Sequence, residues 1–149
     1  MKHYFYLLFW VSLSISCTRE DEAPVFPATP VIRMIDSKPN QVIAYKDSII
    51  FQIAYEDGDG DLGENTAGSE NLFLKDTRTG ASYTFRIRRL VPDNAKAPIK
   101  GTLSFVLPFA ILTDENSASQ QAVFEIHVKD RAGNASNVIS SPAITVVKQ

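Results

Sequence analysis

An all-β sandwich is the fold that this sequence predicts, and three observations predict it. From Val31 onward, apolar residues alternate with polar ones in short runs, the period of strands with one buried face. Clusters of glycine, proline, asparagine and aspartate separate the runs, and these are the residues that turns favour. No run carries the 3.6-residue period of an amphipathic helix.

The first strand is expected over 31–35, in the apolar stretch Val31–Ile35, and Lys38-Pro39-Asn40 turns the chain after it. The second, 48–56, places Ile49, Phe51, Ile53 and Tyr55 on one face. A glycine-rich acidic loop follows, then a strand over 71–75 around Leu72–Leu74, which ends before Thr79-Gly80. The strand 82–90 sets Tyr83, Phe85 and Ile87 against Arg86 and Arg88 on the other face, and Pro92-Asp93-Asn94 closes it. Leu103, Phe105 and Leu107 share a face of 101–107, and Asp114-Glu115-Asn116 turns beyond it. In 121–129 the inward set is Ala122, Phe124, Ile126 and Val128, with Glu125, His127 and Lys129 facing water. Gly133-Asn134 then leads into 138–147, whose apolar end is Ile144–Val147. About seven short antiparallel strands in one domain are the pattern of an immunoglobulin-like (Ig-like) β-sandwich. The cysteine pair and core tryptophan of antibody domains are absent: Cys17 is the sole cysteine and Trp10 the sole tryptophan. Stability must therefore come from burying aliphatic and phenylalanine faces, at about 25 cal/mol per Å².

The start of the chain lies outside that domain. Lys2 is followed by the apolar run "YFYLLFWVSLSI", which ends at Ile15, and then by Ser16 and Cys17. A charged start, a short apolar core and a small residue before the cut make a secretory signal; the run is too short for a permanent transmembrane helix, which needs about 20 residues. "LSISC" resembles the lipobox of bacterial lipoproteins, which implies acylation of Cys17 and an anchor in the membrane. The alternative is a leftover thiol in a secreted chain. Glu20, Asp21 and Glu22 follow directly and resemble the export signal of surface lipoproteins in Bacteroidetes-type bacteria; otherwise they are a solvated tether. Pro24, Pro27 and Pro30 stiffen the remainder. The expected organisation is a signal peptide over 1–16, a lipidated acidic and proline-rich tether over 17–30, and the sandwich over 31–149.

The formal charge of the 149 residues is −2, and removal of 1–16 takes away Lys2 and no acid, leaving −3. That balance argues against a nucleic-acid partner, which would need a basic face. The one basic cluster, Arg86, Arg88 and Arg89, reads as an edge strand guarded against mispairing.

Residues 55–65, "YEDGDGDLGEN", pose the functional question. Glu56, Asp57, Asp59 and Asp61 fall within six positions, and no lysine or arginine occurs between Lys46 and Lys75. In a seven-strand sandwich the loops after the second, fourth and sixth strands gather at one pole. This brings Asp57, Asp59 and Asp61 together with Asp93 and Asn94 and with Asp130 and Asn134. A calcium ion takes six to eight oxygens, and aspartates alternating with glycines can wrap one; Asp57, Asp59, Asp61 and Asp130 are the candidate metal ligands. The spacing is not that of an EF-hand, because the sixth and twelfth places from Asp57 are Leu62 and Gly68, where that motif needs glycine and glutamate. Leu62 is expected to anchor the loop in the core. Magnesium prefers fewer protein ligands, and zinc would want cysteine or histidine. The competing reading is a soluble Asp-Gly turn, and Asp130 with Gly133-Asn134 also suits a tight turn.

Together, "DGDGDLG" and "VKDRAGNASN" (128–137) resemble the corresponding stretches of bacterial Ig-like and cadherin-like domains, and of a group of small Bacteroidetes-type surface lipoproteins. The resemblance implies a fold and a location, with calcium at the loops of one sandwich end, and it names no activity. No catalytic residue is assigned. The carboxylates sit in a hydrated loop without an apolar wall, and after cleavage His127 is the single histidine, on an outward face. A non-catalytic structural or protein-interaction lipoprotein at the outer membrane surface is the leading class, with envelope proteins as partners. A glycan-binding accessory lipoprotein is the alternative. An exposed aromatic patch would favour it.

Overall fold

A computed structural model describes residues 25–92 and 95–149. The expected signal peptide, Cys17, the acids Glu20, Asp21 and Glu22, and the loop residues Asp93 and Asn94 lie outside the described residues.

The described chain is all-β. Its strands are β1 (Val31–Lys38), β2 (Gln41–Ile43), β3 (Ile49–Asp57), β4 (Leu72–Asp76), β5 (Ser82–Phe85), β6 (Ile99–Leu107), β7 (Ser119–Ala122), β8 (Phe124–Val128), β9 (Ile139–Ser140) and β10 (Ile144–Val147). One antiparallel sheet has the order β1-β3-β6. Facing it are β5-β4-β8-β9 and the short β2-β10-β7, in which β2 runs parallel to β10. The last two sheets are joined through the single residue Val123 between β7 and β8.

The alternation read from the sequence becomes the core. Ile49, Phe51, Ile53 and Tyr55 of β3 are buried, as are Ala122, Phe124, Ile126 and Val128. The Phe51 ring stacks on Phe105 at 5.3 Å and meets Phe124 edge-on at 5.5 Å, so it bridges the two layers. Emptying such a site, as in Phe51→Ala, costs about 3–5 kcal/mol.

Seven expected segments become ten strands because the backbone leaves its sheet at identifiable places. The segment 31–35 continues to Lys38 past a bulge at Ile35, which turns that side chain out to solvent and Ser37 inward. The segment 82–90 ends as a strand at Phe85. Beyond it, the Asn71 side chain takes over the backbone pairing: its Nδ2 donates to Ile87 O at 3.0 Å, and its Oδ1 accepts from Ile87 N at 2.6 Å. Arg86 and Arg89 therefore do not guard a strand edge. Arg86 Nη1 donates to Thr66 O at 3.1 Å, and Arg89 pairs with Glu64 at 3.5 Å, which ties this segment to the loop after β3. The segment 121–129 breaks at Val123, whose carbonyl accepts from Thr77 N and Oγ1, while the next amide, Phe124 N, donates to Ser141 Oγ. The segment 138–147 breaks at Ser141-Pro142, where proline has no amide for a ladder.

This topology gathers one set of chain ends at a pole. β3 ends there at Asp57, opposite the start of β6 at Ile99. β1 starts there, with Val31 paired to Glu56. β8 also ends there, and its extension Lys129 pairs with Ala135 across the turn.

Candidate metal centre

β3 delivers Asp57 to the pole, and the glycines that follow fold the chain back so that Asp59 and Asp61 join it. One carboxylate oxygen from each of the three lies within 4.8 Å of the others. Asp57 is fully buried, and Asp59 and Asp61 are half-buried. Leu62 is fully buried and pins the loop to the core. Gly60 has φ +70°, and a Cβ there would fall 2.3 Å from Ala97 O, so the loop closes against the segment before β6 only with glycine at this point.

Two of the outer oxygens are committed. Asp57 Oδ2 accepts from Leu62 N at 2.8 Å, and Asp61 Oδ2 accepts from Ala132 N at 3.0 Å. The inner ones are not: the Oδ1 atoms of Asp57, Asp59 and Asp61 are shut off from solvent and accept no hydrogen bond. Cations do approach the loop from elsewhere in the chain. Arg131 Nη1 donates to Gly63 O at 2.7 Å and Arg89 reaches Glu64, so their hydrogen bonds hold the loop from outside and leave the three inner oxygens unmet.

The electrostatics follow. Burial, together with the neighbouring Asp59 and Asp61 carboxylates, pushes Asp57 up to about 6, against the opposing pull of the Leu62 amide. Asp61 is also raised, first by burial and then by Asp130 and Asp59. Burial raises the Tyr55 phenol, with a further contribution from Asp57. An isolated protein would ordinarily pair or hydrate such groups. Three converging hard oxygens, buried and unpaired, could hold a cation that prefers oxygen ligands.

The other expected ligand is placed differently. Asp130 is buried beside the trio but outside it, with Oδ1 accepting from Asn134 N at 2.7 Å and Oδ2 from Asn134 Nδ2 at 2.9 Å. It holds the turn over 130–134, in which Gly133 has φ +93°. Asn134 contributes its backbone N and its Nδ2 to this turn. The sequence reading did not anticipate Arg131, Ala132 and Asn71 as supports of the site. The first two lie within the quoted "VKDRAGNASN", so their position was visible even though their role was not. The His127 ring is stacked on Phe73 at 4.7 Å, and burial lowers its basicity.

At the opposite pole, Tyr45 and Phe109 are 60% and 45% exposed, with ring centroids 6.5 Å apart. Tyr45 has φ +61°, a conformation that non-glycine residues seldom adopt.

No family model matches the chain, and no curated protein matches it. Among solved structures it is similar to the SrpA adhesin from Streptococcus sanguinis, at 16% identity and a TM-score of 0.33, covering 81% of this chain and 57% of that one. A point mutant of the same adhesin gives 17% identity and a TM-score of 0.35, covering 84% and 60%. The chain thus spans less than two thirds of the adhesin chains it matches.

Proposed function

We propose that this chain is a non-catalytic module displayed at a bacterial outer-membrane surface on a lipid tether, and that calcium at Asp57, Asp59 and Asp61 stabilises its domain. The observation that carries the calcium reading is the set of three buried Oδ1 atoms with no hydrogen-bond partner. Binding to the folded state alone adds RT ln(1 + [L]/Kd), about 2.7 kcal/mol at a hundredfold excess over Kd. For a domain of this size that raises Tm by several degrees. The test is a melt of the protein in calcium, in magnesium and in chelator, repeated with Asp59→Asn. Calcium alone should stabilise the wild type, and the variant should lose most of the gain. Coincident melts in calcium and chelator would reduce the loop to a turn.

The lipid anchor rests on "LSISC" at Cys17, and surface placement rests on Glu20, Asp21 and Glu22. Mass spectrometry of the native protein should find an acylated Cys17 as the first residue, and Cys17→Ser should release the protein from the membrane. Replacing the three acids with alanine should leave the protein lipidated but protected from protease added to whole cells. Unchanged shaving of that variant would return the acids to plain tether.

A glycan-binding role is the second reading, and the exposed Tyr45–Phe109 pair is the observation that favours it, since sugars stack on exposed aromatic faces. Retention on a polysaccharide column should then fall when both residues are replaced by alanine. Equal retention of wild type and variant removes this reading and leaves envelope proteins as the partner class.

A further inference from the structure

The acidic loop is also the seat of the chain that leads into the domain. Gly58 lies between Asp57 and Asp59, and its amide donates to Pro27 O at 2.8 Å. The approach is close: a Cβ on Gly58 would lie 2.1 Å from Phe26 O and 2.8 Å from Pro27 O. Phe26 is half-buried and Pro30 buried, so this stretch is held against the domain before β1 begins at Val31. No positive φ is involved at Gly58. Glycine is required there by the backbone of Phe26–Pro27, not by a turn.

The seat and the three carboxylates are one piece of backbone. When the carboxylates carry full charge and no cation, their repulsion acts on the residues that flank Gly58. A cation held by the three Oδ1 atoms removes that repulsion and fixes the positions of Asp57 and Asp59 on either side of the amide that Pro27 accepts. We infer that the site is a calcium-operated latch: an ion at Asp57, Asp59 and Asp61 locks residues 26–30 onto the pole, and its loss frees them. The inference rests on the calcium reading above, and the buried, unpartnered Oδ1 of Asp57 is what points to a ligand in the first place. Because coupling between two sites is reciprocal, a docked linker also tightens calcium binding. The consequence is mechanical. With calcium, residues 26–30 stay seated on the pole; without it, they are released and the ordered domain begins nearer Val31.

Hydrogen exchange on the full chain, in calcium and in chelator, reads the latch directly, with titration calorimetry on the same samples. Calcium should slow exchange of the Gly58 amide and of the peptide spanning 26–32 by at least about fivefold, the lower end of ordinary coupling between sites. Gly58→Ala keeps all three carboxylates but collides with Phe26 O. It should bind calcium at least about fivefold more weakly and show fast exchange over 26–32 even with calcium present. The wild-type comparison stands without the variant, should the variant fold poorly. Heat of calcium binding together with unchanged exchange over 26–32 overturns the latch and leaves the calcium site standing. Absence of both heat and protection removes the two together.

Discussion

Two buried aspartates end strands at opposite poles of the sandwich. Asp57 closes β3 and is 0% exposed, and Asp76 closes β4 and is 1% exposed. Asp76 is fully served: Arg78 gives it Nε at 3.0 Å, Nη2 at 2.6 Å and its backbone amide at 2.9 Å. The same guanidinium reaches Ile111 O at 3.0 Å, which braces the β4–β5 turn against the chain after β6. Asp57 receives one amide, and its other oxygen faces two more carboxylates. Burying a carboxylate is costly unless it is paired, and this chain pairs one where the purpose is structural. Where it leaves one unpaired, beside two like charges, the proposed cation would supply the missing partner.

The largest effect should come from breaking the served pole. Arg78→Leu strands Asp76 as a buried charge, and urea unfolding at neutral pH should show a loss of about 3–5 kcal/mol, with or without calcium. Asp57→Asn should behave in the opposite way. In chelator the variant should unfold at a higher urea concentration than wild type, with an unchanged slope, because a repelled charge has been removed; in calcium it should fail to gain what the wild type gains.

The pH dependence sharpens the contrast. The folded-state value of Asp57 is pushed up to about 6 from 3.8, so between those values the folded state binds more protons than the unfolded one. In calcium-free buffer, stability should therefore fall as pH rises from about 4 to about 6 and level off above, by linkage. Asp57→Asn should flatten that slope. The smallest effect belongs to an exposed pair. Lys75 and Glu125 lie 3.3 Å apart with side chains 53% and 40% exposed, and Lys75→Ala should change stability by less than about 1 kcal/mol. That result would show that burial, more than pairing, separates Asp57 and Asp76 from the surface acids.

The strands of the core were legible because their faces alternate without interruption, as in Ile49, Phe51, Ile53 and Tyr55. The breaks were not. Ala122 and Phe124 keep their period across Val123 while the backbone changes sheets, and the groups that take the Val123 carbonyl and the Phe124 amide, Thr77 and Ser141, are distant in sequence. At the site, the convergence of Asp57, Asp59 and Asp61 could be read from aspartates spaced by glycines. The part Asp130 plays in the turn could not be read, because a turn and a metal site draw on the same residue types; both of its oxygens accept from Asn134, which does not by itself exclude a ligand role. The Arg86–Arg89 segment misled for a related reason. Its alternation is that of a strand, yet Asn71 captures Ile87 and turns the arginines toward the loop carbonyl of Thr66 and the carboxylate of Glu64.

The central claim is that the three inner oxygens of the carboxylate pole are reserved for a cation. Titration calorimetry of the protein with calcium at neutral pH tests it most directly, run in parallel on the wild type and on Asp57→Asn. The account predicts a saturable heat with one ion bound per wild-type chain and none in the variant. A wild type that takes up no calcium at millimolar concentration, while remaining folded, would contradict it.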